Sequence, residues 1–268
     1  MATSPPSTPS AGSSASDALV RERLRQGRVL IVGVGGLGTP SALWLARAGI
    51  GTLGLLDGDV VEPSNLPRQI LYRSADIGRR KASAAAACIG AVHPTVNIEV
   101  FDRRLHPRNA VEMVRGFDFV IDATDGTAAK YLVNDAAVLA GVPFTHAGVV
   151  GFQGQVFTVL PRRSACLRCL FPSPPVDAEV PTCLEAGVIG PLAGAIGILQ
   201  AAEAVKHIAG AGAVLANRLL TCDAGSGRWR TVRLAANPSC PLCGERPRIR
   251  TVELADGVDC GAVAAPKS

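Results

Sequence analysis

Val29-Leu30-Ile31-Val32 is an apolar run that passes directly into Gly33-Val34-Gly35-Gly36-Leu37-Gly38. The Ala/Leu-rich segment from Ser41 to Ala48 follows, and a second apolar run, Thr52 to Leu56, ends on Asp57-Gly58-Asp59. The order is strand, glycine turn, helix, strand, acid. Glycines permit a turn that side chains would block, and the helix N-terminus beyond them favours negative charge. Asp57 lies 19 residues past Gly38, where a carboxylate accepts hydrogen bonds from ribose hydroxyls. A unit of this kind lays a nucleotide across the carboxyl ends of parallel strands.

The chain continues in the same rhythm. Asp76-Ile77-Gly78-Arg79-Arg80-Lys81 enters an alanine-rich helix that stops near His93-Pro94, and Val96 to Val100 alternates like a strand. Val111 to Val114 reads as helix, Phe117 to Ile121 as a buried strand, Lys130 to Leu139 as helix and Val142 to Val150 as strand. Such alternation predicts an α/β, Rossmann-like, mostly parallel sheet with helices on both faces. Gly154 to Leu160 breaks the pattern and reads as an added antiparallel strand. Leu219 to Cys222 and Trp229 to Leu234 add two more around a Gly-Ser-Gly turn. Gly190 to Ala209 reads as a small-residue helix packed closely on its neighbours. Leu19 to Gln26 is a short helix leading into the first strand. Residues 1–18 read as a disordered tail rich in Ser, Pro, Ala and Thr, 19–250 as one domain and 251–268 as a C-terminal tail.

Composition matters at three points. A hydrophobic content of 48% against 18% charged residues supports a sizeable core. The net charge of +5 comes mainly from arginine; such a surface could suit an acidic protein, but an ordinary solvated surface is the first expectation. Nucleic acid is not expected, because no Lys/Arg run is interleaved with aromatics. The start of the chain lacks a signal-peptide pattern, and the longest apolar stretch, Gly187 to Ala202, is broken by four glycines and a proline. No membrane span is expected, a cytoplasmic location is, and the eight cysteines are then thiols or metal ligands.

A glycine turn alone would point to a nicotinamide dehydrogenase, but the loop after Asp57 points elsewhere. Asn65, Arg68, Gln69 and Lys81 place two cations and two amides toward the phosphates beside the glycine turn. A pyrophosphate held by backbone amides would not need both cations, whereas a triphosphate undergoing cleavage would. Farther on, Cys166-x-x-Cys169 and Cys240-x-x-Cys243 fit a tetrahedral four-thiolate zinc site. A redox pair is the alternative, although neither motif opens a helix after a strand as thioredoxin pairs do. Cys183 follows the proline-rich stretch 172–181 and precedes a helix, where a thiolate is stabilised. It is a candidate for covalent chemistry or a passive half-buried thiol. Cys88 and Cys222 are expected in the core, His146 as an interior histidine with satisfied hydrogen bonds, and Asp122 in a structural role.

Taken together, these segments resemble the MoeB/ThiF/HesA family of adenylating domains, bacterial relatives of ubiquitin-activating enzymes. Gly33 to Gly38, Asp57 to Gln69 and Asp76 to Ala82 carry the resemblance. So do Asp122-Ala-Thr-Asp125, Gly151-Phe-Gln-Gly154, Cys166 to Phe171 and Thr182 to Pro191. The resemblance implies adenylation, by ATP with Mg²⁺, of the C-terminal glycine of a ubiquitin-fold sulfur-carrier protein ending in Gly-Gly. Carboxylate attack on the α-phosphate brings two anions together, so the site must neutralise and align both. By family match Asp57 holds the ribose and Gly36 lies under the nucleotide. Ser64, Asn65, Arg68 and Gln69 border the phosphates, and Lys81 stabilises the departing pyrophosphate. Asp125, with Gly126 beside it, handles Mg²⁺. The family also implies a structural zinc at the four cysteines, a homodimer, and at the position of Cys183 a cysteine that links to the carrier in some members.

Three features depart from the family. An Arg-Tyr-x-Arg-Gln segment, whose arginine reaches a neighbouring subunit's ATP, is missing before Leu19, and Arg21, Arg23 or Arg25 would have to substitute. Gly126 stands where asparagine is usual and Lys130 where arginine is common, which would loosen the nucleotide site. The segment from Pro247 to Leu254 and Cys260-Gly261 resemble the passage into a rhodanese domain, so a separate sulfur donor, a rhodanese or a cysteine desulfurase, is expected. The rival readings are adenylation of a small molecule, peptide or tRNA, a non-catalytic nucleotide-binding scaffold, and a nicotinamide oxidoreductase.

Overall fold

The structure, a computed structural model, describes residues 15–175 and 187–252. Five strands run parallel: β1 (Arg28–Val32), β2 (Thr52–Leu56), β3 (Asn97–Phe101), β4 (Phe119–Asp122) and β5 (Phe144–Val150). From β5 the sheet continues antiparallel through β6 (Gln153–Val159), β7 (Arg218–Asp223) and β8 (Arg228–Arg233). The spatial order is β3-β2-β1-β4-β5-β6-β7-β8. The expected parallel sheet and its antiparallel extension are both present.

Side chains alternate across the pleat into two cores. Val29 and Ile31 of β1 pack with Leu45, Ala85 and Ile196, whereas Leu30 and Val32 pack with Val114, Val133 and Ala137. The first face therefore carries α1 (Ala15–Gln26), α2 (Gly38–Ala48), α3 (Lys81–Val92) and α7 (Gly190–Ala209). The second carries α4 (Pro107–Arg115), α5 (Thr127–Ala140) and the single turn α6 (Leu167–Leu170). Each fully buried Leu or Ile contributes about 1.5–3 kcal/mol, so the central strands dominate the stability. Among the described residues no helix is long and apolar enough to cross a membrane.

Most boundaries shift by a few residues from the sequence expectation, and two helix starts shift most. α1 begins at Ala15, so 15–18 belong to a helix rather than to the tail. Leu24 is buried in the core, and Arg23 Nη1 donates to Ala209 O (2.8 Å) at the end of α7. These contacts hold a helix whose small, polar start reads like the tail before it. α4 begins at Pro107, four residues before the apolar run, because His106 Nδ1 accepts the Arg108 N–H (3.3 Å) and proline suits a first turn.

The chain winds from β1 outward to β2 and β3, then returns to place β4 on the other side of β1. The reversal opens a crevice at the carboxyl ends of β1 and β4, the place where open α/β sheets hold ligands.

Candidate active site

The strand register brings three loops together in that crevice. Val32 pairs with Leu56 of β2 and with Asp122 of β4, so Gly33, Asp57 and Ala123 emerge side by side. Gly33 N–H donates to Leu56 O (2.8 Å), and Ala123 N–H to Val32 O (2.9 Å). Gly33 has a φ of +90°, and a Cβ there would stand 2.7 Å from Ala123 O, so only glycine fits. At Gly36 the restriction is different. A Cβ would meet Ala193 at 3.4 Å and Arg68 at 3.5 Å, filling a shallow cradle that glycine leaves open.

Asp57 sits at the rim of this turn and is 9% exposed. Its Oδ2 accepts the Val34 N–H and its Oδ1 the Asp59 N–H, both at 2.8 Å. Each oxygen retains acceptor capacity for a ribose hydroxyl. Burial raises this carboxyl above its ordinary range, with the Lys81 charge and the two N–H bonds pulling the other way.

Lys81 opens α3 with only 8% of its surface exposed. Its Nζ lies 3.4 Å from Asp59 Oδ2, while Arg104 Nη2 donates to Asp59 Oδ1 at 2.9 Å. Against burial, these two cations hold Asp59 below the usual carboxylate range. Tyr72 Oη lies within hydrogen-bonding distance of Val34 O (2.7 Å) and Lys81 O (3.1 Å), tying the glycine turn to the lysine. Sequence reasoning missed Tyr72 and Arg104, because neither lies in a motif.

The loop between them divides the expected phosphate groups. Asn65 is buried, and its Oδ1 accepts the Glu62 N–H (3.2 Å), closing a one-turn 3₁₀ helix at Pro63–Asn65. Arg68 Nη1 donates to Ser64 O (2.8 Å), and the exposed Ser64 Oγ lies 3.4 Å from Asn65 Nδ2. Gln69 is 4% exposed, yet its Oε1 has no partner among the described residues. A Cβ on Gly35 would lie 3.6 Å from its Nε2. An unpaired buried amide oxygen costs about 1–3 kcal/mol and marks a place where a donor from outside fits. Asp125 and Gly126 are exposed at the start of α5, which Gly126 caps. Cys183 lies outside the described residues.

The four cysteines converge although 74 residues separate Cys166 from Cys240. Their sulfurs lie within 4.8 Å of one another, with separations of 3.4 Å (Cys169–Cys243, Cys166–Cys243), 3.7 Å (Cys166–Cys240) and 3.9 Å (Cys166–Cys169). A tetrahedron of thiolates about 2.3 Å from an ion has edges of about 3.8 Å, so the donor set and spacing fit a metal. The hydrogen bond to Cys243 and burial push Cys166 up, burial pushes Cys169 up to about 11, and the bond from Cys166 holds Cys243 down to about 5. A cation would let all four ionise. Unlike the sequence expectation, Cys166 does open a helical turn, α6, but the four-sulfur cluster rather than a lone pair is what forms.

A cleft of about 310 Å³ lies at the far end of α2, lined by Ala18, Arg21, Arg25, Ala48 and Gly49. An eleven-residue helix spans roughly 16 Å, so Arg21 and Arg25 do not face the glycine turn of their own chain.

Residues 11–242 match the ThiF family. The chain belongs to that family. It is similar to a sulfur carrier protein adenylyltransferase of Thermus thermophilus, 44% identical over 88% of this chain and 88% of that one. It is also similar to the SAMP-activating enzyme E1 of Haloferax volcanii, 41% identical over 90% of this chain and 89% of that one. A crystal structure of E. coli MccB with ATP has a TM-score of 0.77 over 85% of this chain and 69% of that one; at 22% identity the likeness is one of fold.

In this ThiF-family chain Lys130 turns inward, its Nζ 3.4 Å from Asp122 Oδ2 and 2.6 Å from Ala147 O. Its neighbour Tyr131 carries the Arg168 guanidinium over its ring at 4.9 Å, and Arg168 forms a two-pronged pair with Asp135, both bonds 2.7 Å. Asn134 Oδ1 also accepts the Leu167 N–H (2.9 Å). Thus α5 anchors the first cysteine pair, a coupling that no spacing rule in the sequence carried.

Proposed function

We propose that this chain transfers the adenylyl group of ATP to the C-terminal glycine carboxylate of a ubiquitin-fold sulfur-carrier protein ending in Gly-Gly. The observation that carries the reading is the crevice itself. Asp57 is fixed by two backbone N–H groups, beside a glycine turn, with the buried Lys81 a loop away. Adenylyltransferases stand among the similar proteins, and the crevice has the parts that such a reaction needs.

In this reading Asp57 accepts the ribose hydroxyls, and the open cradle at Gly36 admits the nucleotide backbone. Ser64, Asn65, Arg68 and Gln69 border the phosphates. The carrier's carboxylate oxygen attacks the α-phosphorus, the new O–P bond forms, and the bond to the β-phosphate oxygen breaks to release pyrophosphate. Lys81 and Arg68 offset the charge that develops, each charge-assisted bond contributing about 1.5–3 kcal/mol. Asp125, with Gly126, would hold Mg²⁺, which screens the phosphates from that acid. Zinc would occupy the four cysteines as a structural ion. Cys183 would act next: its thiolate attacks the carbonyl carbon of the adenylate, a C–S bond forms, and AMP leaves. A sulfur donor of the rhodanese or cysteine desulfurase type would supply the sulfur. Thiols poised for a metal favour the cytoplasm. The packed pair α2 and α7 exposes Trp44 and Ile198, which supports a homodimer through that face.

ATP–pyrophosphate exchange tests the reading. Exchange that depends on a carrier ending in Gly-Gly is expected. Exchange with a small acid or peptide alone would move the substrate to the rival class, and nucleotide binding without exchange would reduce the chain to a scaffold.

A further inference from the structure

Resting on that adenylylation reading, we propose that Asp122 is a positioning residue for the loop that carries Asp125, and that Lys130 and His146 hold it in the orientation that shapes this loop. Asp122 ends β4 and has no exposed surface. Its two oxygens are used in opposite directions. Oδ1 accepts the Thr124 N–H (3.1 Å) and the Thr124 hydroxyl (2.6 Å), folding the chain back immediately after the strand. Oδ2 faces Lys130 Nζ of α5 (3.4 Å) and Nδ1 of His146 of β5 (3.0 Å).

The loop so folded is the one that meets the nucleotide crevice. Ala123 O stands where a Cβ on Gly33 would fall, at 2.7 Å, so the shape of 123–124 sets the space left to the glycine turn. Asp125 and Gly126 follow directly. The network reaches α7 as well: Gln200 Nε2 donates to Asp122 O (2.8 Å) and lies 3.2 Å from Thr145 Oγ1. The groups that face Asp122 are therefore Lys130 from α5 and His146 from β5, both titratable, and the uncharged Thr124 and Gln200.

A buried carboxylate with two partners keeps one rotamer, and removing one partner leaves an uncompensated buried charge. Burial by itself would raise the Asp122 carboxyl; the charge of Lys130 and the hydrogen bonds of His146 and Thr124 outweigh it and hold the group near 2. Burial keeps His146 below its ordinary range, so its ring stays neutral and donates through Nδ1 to the carboxylate. Lys130 is thus an internal strut that acts through Asp122.

Two variants and a turnover-free readout test this. Carrier-dependent exchange by the wild type checks the functional reading first. With that established, Lys130→Met is expected to raise the KM for MgATP about tenfold, leave the KM for the carrier unchanged, and restore on Lys130→Arg. The Met variant should also gain an acid limb in its rate profile that the wild type lacks, as Asp122 loses the charge that keeps it ionised. In the nucleotide-free chain, amides of 123–126 should exchange hydrogen about tenfold faster in Lys130→Met than in wild type. Thr124→Val removes only a hydroxyl at a half-buried position and should shift the same quantities less, which covers a Met variant that fails to fold. Unchanged KM, pH profile and loop exchange in either variant would overturn the proposal. So would a Met variant that loses thermal stability but keeps wild-type MgATP kinetics. If the wild type does not exchange pyrophosphate, the functional reading fails, and loop hydrogen exchange alone decides the role of Asp122.

Discussion

Every residue of β2 is buried and every residue of β8 is exposed, although both belong to one sheet. The parallel part around β2 is stabilised by apolar side chains from both faces, and its functional groups sit on short loops leaving the strand ends. The antiparallel extension has no such cover at its edge. β6 still shares the two apolar cores, and links between distant residues add to its hold on β7 and β8: four sulfurs, the Asp135–Arg168 pair, and Glu203. Glu203 accepts from Thr158 Oγ1 (2.5 Å) and from the Leu215 N–H (2.6 Å) and pairs with Lys206. The difference teaches where loosening should fall first: on β7 and β8, whose apolar cover is thinner than that of β2.

The strongest way to break that comparison is to remove the metal. A structural thiolate centre contributes on the order of 10 kcal/mol in small peptides, an upper bound here. Metal analysis should find one ion per chain. Chelation should expose the amides of β7 and β8 to hydrogen exchange while β1, β2 and β4 stay protected. Equal loss across the sheet would show that the two parts are one cooperative unit. Next in size is Lys81→Ala, expected to lower exchange about 10²–10³-fold, equivalent to about 2.7–4 kcal/mol, with the thermal midpoint little changed. A wild-type rate would remove the lysine from the site.

Arg168→Ala should cost about 3 kcal/mol in denaturant unfolding, since it strands the buried Asp135 carboxylate. The loss should fall on the extension and the cysteine centre. By contrast Arg28–Glu99, a partly exposed pair, should be worth under about 1 kcal/mol, and Glu99→Gln measures it. The buried ionisable groups also give stability a pH dependence. His146 has a folded pKa below its ordinary 6.5, so the unfolded chain takes up the proton first and stability falls as pH drops below that value. Asp122 is held near 2 against 3.8, so its contribution is present above about pH 4 and fades toward pH 2. His146→Gln should flatten the slope between about pH 7 and 5 and leave the steeper loss at lower pH. An unchanged slope would mean that His146 does not carry it.

Much of this was legible in the residues. The apolar runs at 29–32 and 52–56, the glycine turn and the Asp57 acid are local patterns whose geometry follows from backbone sterics and strand burial. The bounds of β2 and α7 match their runs, and the resemblance carried by Asp57 to Gln69 led to the family that the chain belongs to. The four-cysteine cluster was legible as a ligand set, because few chemistries other than metal binding need two such pairs. The start of α1 was obscured because Ala15-Ser16-Asp17-Ala18 is small and polar and reads like the tail before it.

By itself, then, the sequence determined the strand-turn-helix unit, the cysteine donor set and the class of chemistry, all of which rest on neighbours along the chain. Only the tertiary structure decided which polar groups serve the crevice and which serve the scaffold. Lys130 and Lys81 are both helix-borne lysines, yet one points at Asp122 in the core and the other at the rim with Asp59. Asn65 closes its own turn, while the Gln69 Oε1 has no partner among the described residues. The reason is physical: the orientation of a side chain is set by what packs against it, and those partners arrive from strands and helices that only the folded sheet brings together.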